Sequence, residues 1–212
     1  MGVCVIVCGP SGSGKSTSLR NFEAGEIGVL NVMRKPLPFR SKLDGTDIFS
    51  TDDYNAIMAC ISSGKRNAWV VDDAGYLMSN ELFARSEERG YDKFIDIAKR
   101  YQELIMCAVK APRDTITYLI MHIDTDGLGN QKLRTPGKML EEKFCIEGAA
   151  PVVLESAFIN ERYVFVTGYD GHNLAKAPMG MFEPVIDNDL KSVDATMREY
   201  WGLAPLVPEG GE

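Results

Sequence analysis

VCVIVCGPSGSGKST, Val3 to Thr17, is the stretch on which the reading of the whole chain turns. Val3 to Cys8 is an unbroken apolar run, the pattern of a strand buried on both faces, and it gives way to a turn containing Gly9, Gly12 and Gly14. A helix is expected next, from about Gly14 to Glu23. Further along, GEIGVLNVM at 25–33 reads as a second strand, and Pro36 and Pro38 make RKPLPFRSK a loop. The segment 50–65 opens with capping residues and then places Tyr54, Ile57, Met58 and Ile61 at helical spacing.

Ala68 to Asp72 is a third strand, and the stretch from Asp92 to Lys110 repeats apolar residues on one helical face. Thr115 to His122 is a fourth strand, followed by the polar loop DTDGLGNQKLRTPGK and a short helix near Lys138 to Phe144. VVLESAFI and RYVFVTG flank Asn160 and Glu161 as a hairpin, and a helix over about Asn188 to Trp201 ends the series. Strands alternating with helices imply an α/β fold with a mostly parallel sheet, whose ligands bind beyond the carboxyl ends of the strands.

The chain has 212 residues, 45% of them hydrophobic, which suits one domain over 1–205 with a flexible tail at 206–212. A formal charge of −7 disfavours a dedicated basic nucleic-acid surface. No apolar run approaches the roughly 20 residues of a membrane span, so a cytoplasmic protein is expected. Five cysteines without a CxxC pair, and only two histidines, make a zinc site a poor reading. Cys4 and Cys8 read as reduced core residues.

Gly9, Pro10, Ser11, Gly12, Ser13, Gly14, Lys15, Ser16 and Thr17 satisfy GxxxxGK[ST] between an apolar strand and an expected helix. Bare glycine amides wrap phosphate oxygens, Lys15 bridges β- and γ-phosphates, and the Ser16 hydroxyl ligates Mg²⁺. Asp72, ending the strand Ala68 to Asp72, is the second metal residue, acting through water. Asp73 directly after it is the candidate general base, although one methylene shorter than glutamate. His122 at the end of the fourth strand is placed as a sensor of the γ-phosphate, with a backbone-satisfied histidine as the plain alternative. No NKxD motif is present, which favours ATP over GTP.

GPSGSGKST, KPLPF, WVVDDAGYLMSNELFARSEERGYDKFIDIA, MHIDTD, TPGKMLEEK and AKAPMGMFEPVIDNDL together resemble phage-encoded nucleotide-binding proteins with a RecA-like P-loop ATPase core, similar to phage single-strand-annealing and recombination ATPases. The likeness covers nearly the whole chain. It implies a three-layer P-loop NTPase fold with a late β-hairpin and an extra strand between the glycine-loop strand and the Asp72 strand. It also implies an Mg-ATP-dependent ATPase of phage DNA recombination or replication, working as a homo-oligomer on single-stranded DNA, with other phage replication or recombination proteins as partners. By position Lys176 is the cation that reaches a neighbour's γ-phosphate, with Arg162 second.

Lys132, Arg134 and Lys138, on the loop after the fourth strand, are the candidate DNA contacts. Arg34, Lys35, Arg40 and Lys42 read first as a solvated loop, with a nucleotide clamp or DNA contact as alternatives. VLNVMRKPLPF departs from the RecA pattern, which carries a catalytic glutamate there; either Asp73 takes over the water or turnover is slow. Two rival readings stay open. One is a nucleotide-gated adaptor with little hydrolysis, and the other is a P-loop small-molecule kinase using 124–138 as a lid.

Overall fold

The computed structural model describes residues 2–137 and 144–206. Lys138, the expected helix at 138–144 apart from Phe144, and residues 207–212 of the expected tail lie outside the described residues. Nine strands occur among those described: β1 (Val3–Gly9), β2 (Gly28–Asn31), β3 (Ile48–Ser50), β4 (Ala68–Asp72), β5 (Ile116–Thr125), β6 (Gln131–Leu133), β7 (Val152–Ile159), β8 (Arg162–Val166) and β9 (Val185–Asp187). The α-helices described are α1 (Tyr54–Ser62), α2 (Tyr76–Ala84), α3 (Asp92–Lys110) and α4 (Leu190–Trp201).

The strands run in the order β3-β2-β4-β5-β1-β7-β8-β9, with β6 paired to β5. Every pairing from β3 through β7 on this path is parallel, whereas β6, β8 and β9 add antiparallel edges. The chain is therefore an α/β protein with a mostly parallel mixed sheet flanked by helices. β5 is the strand lying between β1 and β4 that the resemblance calls for.

Alternation along β1 sorts its side chains between two cores. Cys4, Ile6 and Cys8 pack with Ile57, Leu77, Tyr101 and Leu104 of α1, α2 and α3 on one face. Val5 and Val7 pack with Leu19, Phe22 and, from α4, Leu190, Val193 and Met197 on the other. Burial on both faces explains why this strand reads as a continuous apolar run. Asp53 caps α1 by accepting from the Asn55 amide, and Asp189 caps α4 by accepting from Lys191 and Ser192.

The expected helix over Gly14 to Glu23 is only a four-residue 3-10 helix, Ser16–Leu19. Its serine and arginine side chains compete for the backbone: Ser18 Oγ donates to Lys15 O at 2.6 Å and Arg20 donates to Thr17 O at 3.2 Å. The chain then bends away at Gly25, whose φ is +83°. A long helix dipole is thus absent from the glycine loop, and individual amides and side chains must hold whatever anion binds there.

β5 runs three residues past His122, and Asp124 to Leu133 is a hairpin rather than a flexible loop. Ile123 and Leu133 pair across it and both are buried, while the Asp126 carboxylate accepts from the Leu128 and Asn130 amides at the turn. Asp126 builds this turn, whereas Asp124 stays within β5, opposite Lys132. β3, β9 and α2 carry no sequence expectation; β3 and β9 are three residues long, too short for a periodic signal.

Candidate functional site

The loop from Gly9 to Thr17 leaves β1 at the carboxyl edge, where Gly9 pairs with His122 of β5 and Asn31 of β2 pairs with Asp72 of β4. Gly14 has φ +98°, and a Cβ there would come within 2.7 Å of Tyr163 Cδ1 on β8. The loop is tied to its neighbours by side chains: Ser156 Oγ donates to Ser13 O at 2.7 Å, and Asn188 Nδ2 donates to Ser156 Oγ at 3.1 Å.

Lys15 is buried, and its ammonium donates to Gly9 O at 2.9 Å and Pro10 O at 2.7 Å, with His122 Nδ1 at 3.5 Å. Burial pulls its pKa down to about 8, against the raising effect of the Asp73 charge. The ammonium is folded onto the carbonyls of its own loop. Three rotatable donors on a flexible stem allow it to turn outward toward an incoming anion.

Ser16 Oγ donates to Asp72 Oδ1 at 2.8 Å, joining the loop to the end of β4. Asp72 is 7% exposed, and burial raises its pKa, against the hydrogen bond from Ser16. Asp73 adopts φ +61°, a left-handed backbone that costs a non-glycine residue about 1 kcal/mol or more. That twist turns its carboxylate into the cleft, with Oδ1 3.3 Å from His122 Nε2 and Oδ2 2.8 Å from Lys35 Nζ. Burial works to raise the Asp73 pKa, but the His122 and Lys35 contacts outweigh it and hold the carboxyl below its usual range. The Tyr76 ring stands edge-on to His122 at 5.9 Å and lies 5.2 Å from the Lys35 ammonium.

These groups line a cleft of about 620 Å³ that also includes Arg134 and Tyr163. Its chemistry suits an anion rich in oxygens: amides and ammonium groups for negative charge, and a hydroxyl–carboxylate pair of hard oxygen donors for a cation. Among the described residues no group of three or more His, Cys, Asp or Glu side chains could hold a metal ion. A cation at Ser16 and Asp72 would draw its remaining ligands from the bound anion and from water.

The structure brings Lys15, Ser16, Asp72, Asp73 and His122 together, with Arg134 at the rim. The Arg134 guanidinium is paired with Asp124 at 2.7 Å, and Lys132 is exposed on β6. Lys176 is not in the cleft. Its backbone bridges Val153, and it lines a separate pocket with Gly2, Val3 and Cys4 at the opposite end of β1 from Gly9. Arg162 begins β8 and is exposed.

Lys35 changes category. Arg34 and Lys42 sit in exposed pairs with Asp52 and Glu23, in keeping with a solvated loop, whereas Lys35 turns into the cleft. The available signal was its position just beyond β2, at the carboxyl edge of the sheet. Tyr76 and Tyr163, which also line the cleft, carry no sequence expectation as site residues. Tyr163 reaches the site only because the β7–β8 hairpin folds beside the loop, which no local pattern announces.

No protein-family model matches the chain, and no curated protein matches it either.

Proposed function

We propose that the protein binds Mg-ATP in this cleft and hydrolyses it. The observation that carries the reading is the convergence of the GPSGSGKST lysine and serine with Asp72, Asp73 and His122 at one edge of a parallel sheet. The buried Asp72 carboxylate, which accepts from the Ser16 hydroxyl, supports the reading because it is a hard oxygen donor of the kind a divalent cation takes. When bound, magnesium supplies positive charge to the β- and γ-phosphate oxygens.

The chain's own residues supply the rest. Lys15 releases the loop carbonyls and donates to the phosphates, while the loop amides bind the oxygens around it. Asp73 orients a water on the γ-phosphorus. The water oxygen bonds to phosphorus as the bond to the β–γ bridging oxygen breaks; ADP departs with that electron pair and the water proton passes to Asp73. His122, within reach of both Lys15 and Asp73, reports the state of the terminal phosphate to β5.

The biological setting is proposed from the resemblance: DNA recombination or replication in a phage, by a homo-oligomer on single-stranded DNA with Lys176 acting on a neighbouring copy. The His122 contact that helps keep Asp73 a weak base supports slow intrinsic turnover, which also suits a nucleotide-gated adaptor. ATP turnover measured across protein concentration, with and without single-stranded DNA, separates the readings. Stimulation by DNA supports the recombination ATPase, binding without turnover supports the adaptor, and transfer to a small acceptor supports the kinase. Failure of the wild-type protein to bind any nucleoside triphosphate with magnesium removes them all.

A further inference from the structure

Lys35 is presented by a loop built to hold it. Asn31, the last residue of β2 and 5% exposed, spends both ends of its carboxamide on the Lys35 backbone: Nδ2 donates to Lys35 O at 2.7 Å, and Oδ1 accepts from Lys35 N at 3.3 Å. Arg34 before it adopts φ +55°, uncommon for a residue with a long side chain, and Pro36 after it has a ring-fixed φ. A merely solvated lysine needs neither a buried amide clamp nor a left-handed neighbour. The side chain itself is 56% exposed, with its ammonium on Asp73 and over the Tyr76 ring.

β4 and β5 separate β2 from β1, so Lys35 and Lys15 bring positive charge to the cleft from different sides. Asp72 and Asp73 balance those two cations. A triphosphate entering between them offers Lys35 an acceptor of higher negative charge than a single carboxylate.

We propose that Lys35 is a second, same-chain cation for the terminal phosphate, exchanging Asp73 for the γ-phosphoryl oxygens when a nucleoside triphosphate binds. The assignment deepens the nucleotide reading and rests on it. The exchange frees Asp73 Oδ2 for water only in the triphosphate state, so the ion pair keeps the cleft idle when it is empty or holds a diphosphate. Lysine, a flexible point charge, suits such a change of partner.

The test is calorimetric binding of ADP and of a non-hydrolysable ATP analogue, both with magnesium, to wild type, Lys35→Met and Lys35→Arg. The side chain is exposed enough for these variants to fold, and a thermal melt checks it. Lys35→Met is expected to weaken the triphosphate analogue by about 10- to 100-fold, the loss of one charge-assisted contact, and to change ADP affinity by less than about 2-fold. Lys35→Arg should recover most of the loss. Equal weakening of both nucleotides, or no weakening of the triphosphate, overturns the assignment while leaving the nucleotide reading in place. If wild type binds neither nucleotide, both are overturned.

Discussion

Ser16 follows β1 and Asp72 ends β4, two strands that are not neighbours, yet the Ser16 hydroxyl donates to Asp72 Oδ1 at 2.8 Å. β5 runs between β1 and β4, and the glycine loop leans across its end to make the bond. The contact ties the loop to the carboxylate most deeply buried in the cleft, and that burial sets what the carboxylate does to stability and to binding.

Asp72→Asn should lose function without losing stability. Its pKa is raised by burial, so the charged form disfavours the folded state, and this penalty fades as pH falls through the folded pKa. The neutral amide can still accept from Ser16. The expected outcome is a Tm unchanged or slightly higher in metal-free buffer, together with loss of the magnesium enhancement of nucleotide affinity. A marked fall in Tm, or retained magnesium enhancement, would count against Asp72 as a metal residue.

Lys15 predicts a pH dependence. With the pKa held near 8, the ammonium is charged below that pH and increasingly neutral above it. Phosphate binding favours the charged form, so above about pH 8 the nucleotide must bring a proton in with it. Calorimetry at pH 8.5 in buffers of different ionisation enthalpy should show proton uptake, and affinity should decline between pH 8 and 10. Lys15→Ala should weaken binding severely and abolish the uptake; proton-neutral binding by wild type at pH 8.5 would refute the prediction.

Asp73→Asn tests the water-activating role. It removes the charge that now engages Lys35 and His122, so triphosphate affinity should be equal or higher, while turnover should drop by about 100-fold or more. Unchanged turnover would take Asp73 out of the mechanism.

Action in trans is open to complementation. Lys176 sits at the opposite end of β1 from the glycine loop, so Lys176→Ala should bind nucleotide normally. If it serves a neighbour's site, turnover should be lost in the assembled variant and partly restored on mixing with Lys15→Ala. Failure to complement argues that each chain works alone.

A buried ion pair far from the glycine loop gives a prediction about stability. The Arg198 guanidinium, buried on α4, donates to Asp114 O at 2.9 Å, Ala204 O at 2.7 Å and Asn67 O at 2.7 Å, and pairs with Asp194, which also accepts from Tyr118 at 2.7 Å. Arg198→Ala strands these acceptors and leaves a buried carboxylate without its cation. A loss of about 3–5 kcal/mol in urea denaturation is expected. A loss below about 1 kcal/mol would show that water replaces the guanidinium at little cost.

Particular residues show where local pattern suffices. Val3 to Cys8, Ala68 to Asp72 and the amphipathic run through α3 are legible because burial on both faces, or on one helical stripe, imposes a spacing that survives in one dimension. Asn160 and Glu161 are legible as a turn for a similar reason, since both must take positive φ, at +50° and +62°. The stretch after Gly14 misleads because serine hydroxyls and an arginine side chain draw backbone carbonyls away from a regular helix.

The amino-acid order alone set out the glycine loop, its lysine and serine, and the acids ending β4, since each of these is encoded by neighbours a few positions apart. Folding alone placed Lys35 on Asp73, turned Tyr163 over Gly14 and kept Lys176 out of the cleft. Those placements depend on which strands lie side by side and on how far a side chain reaches across a sheet edge, and contacts between residues distant along the chain leave no periodic trace within it.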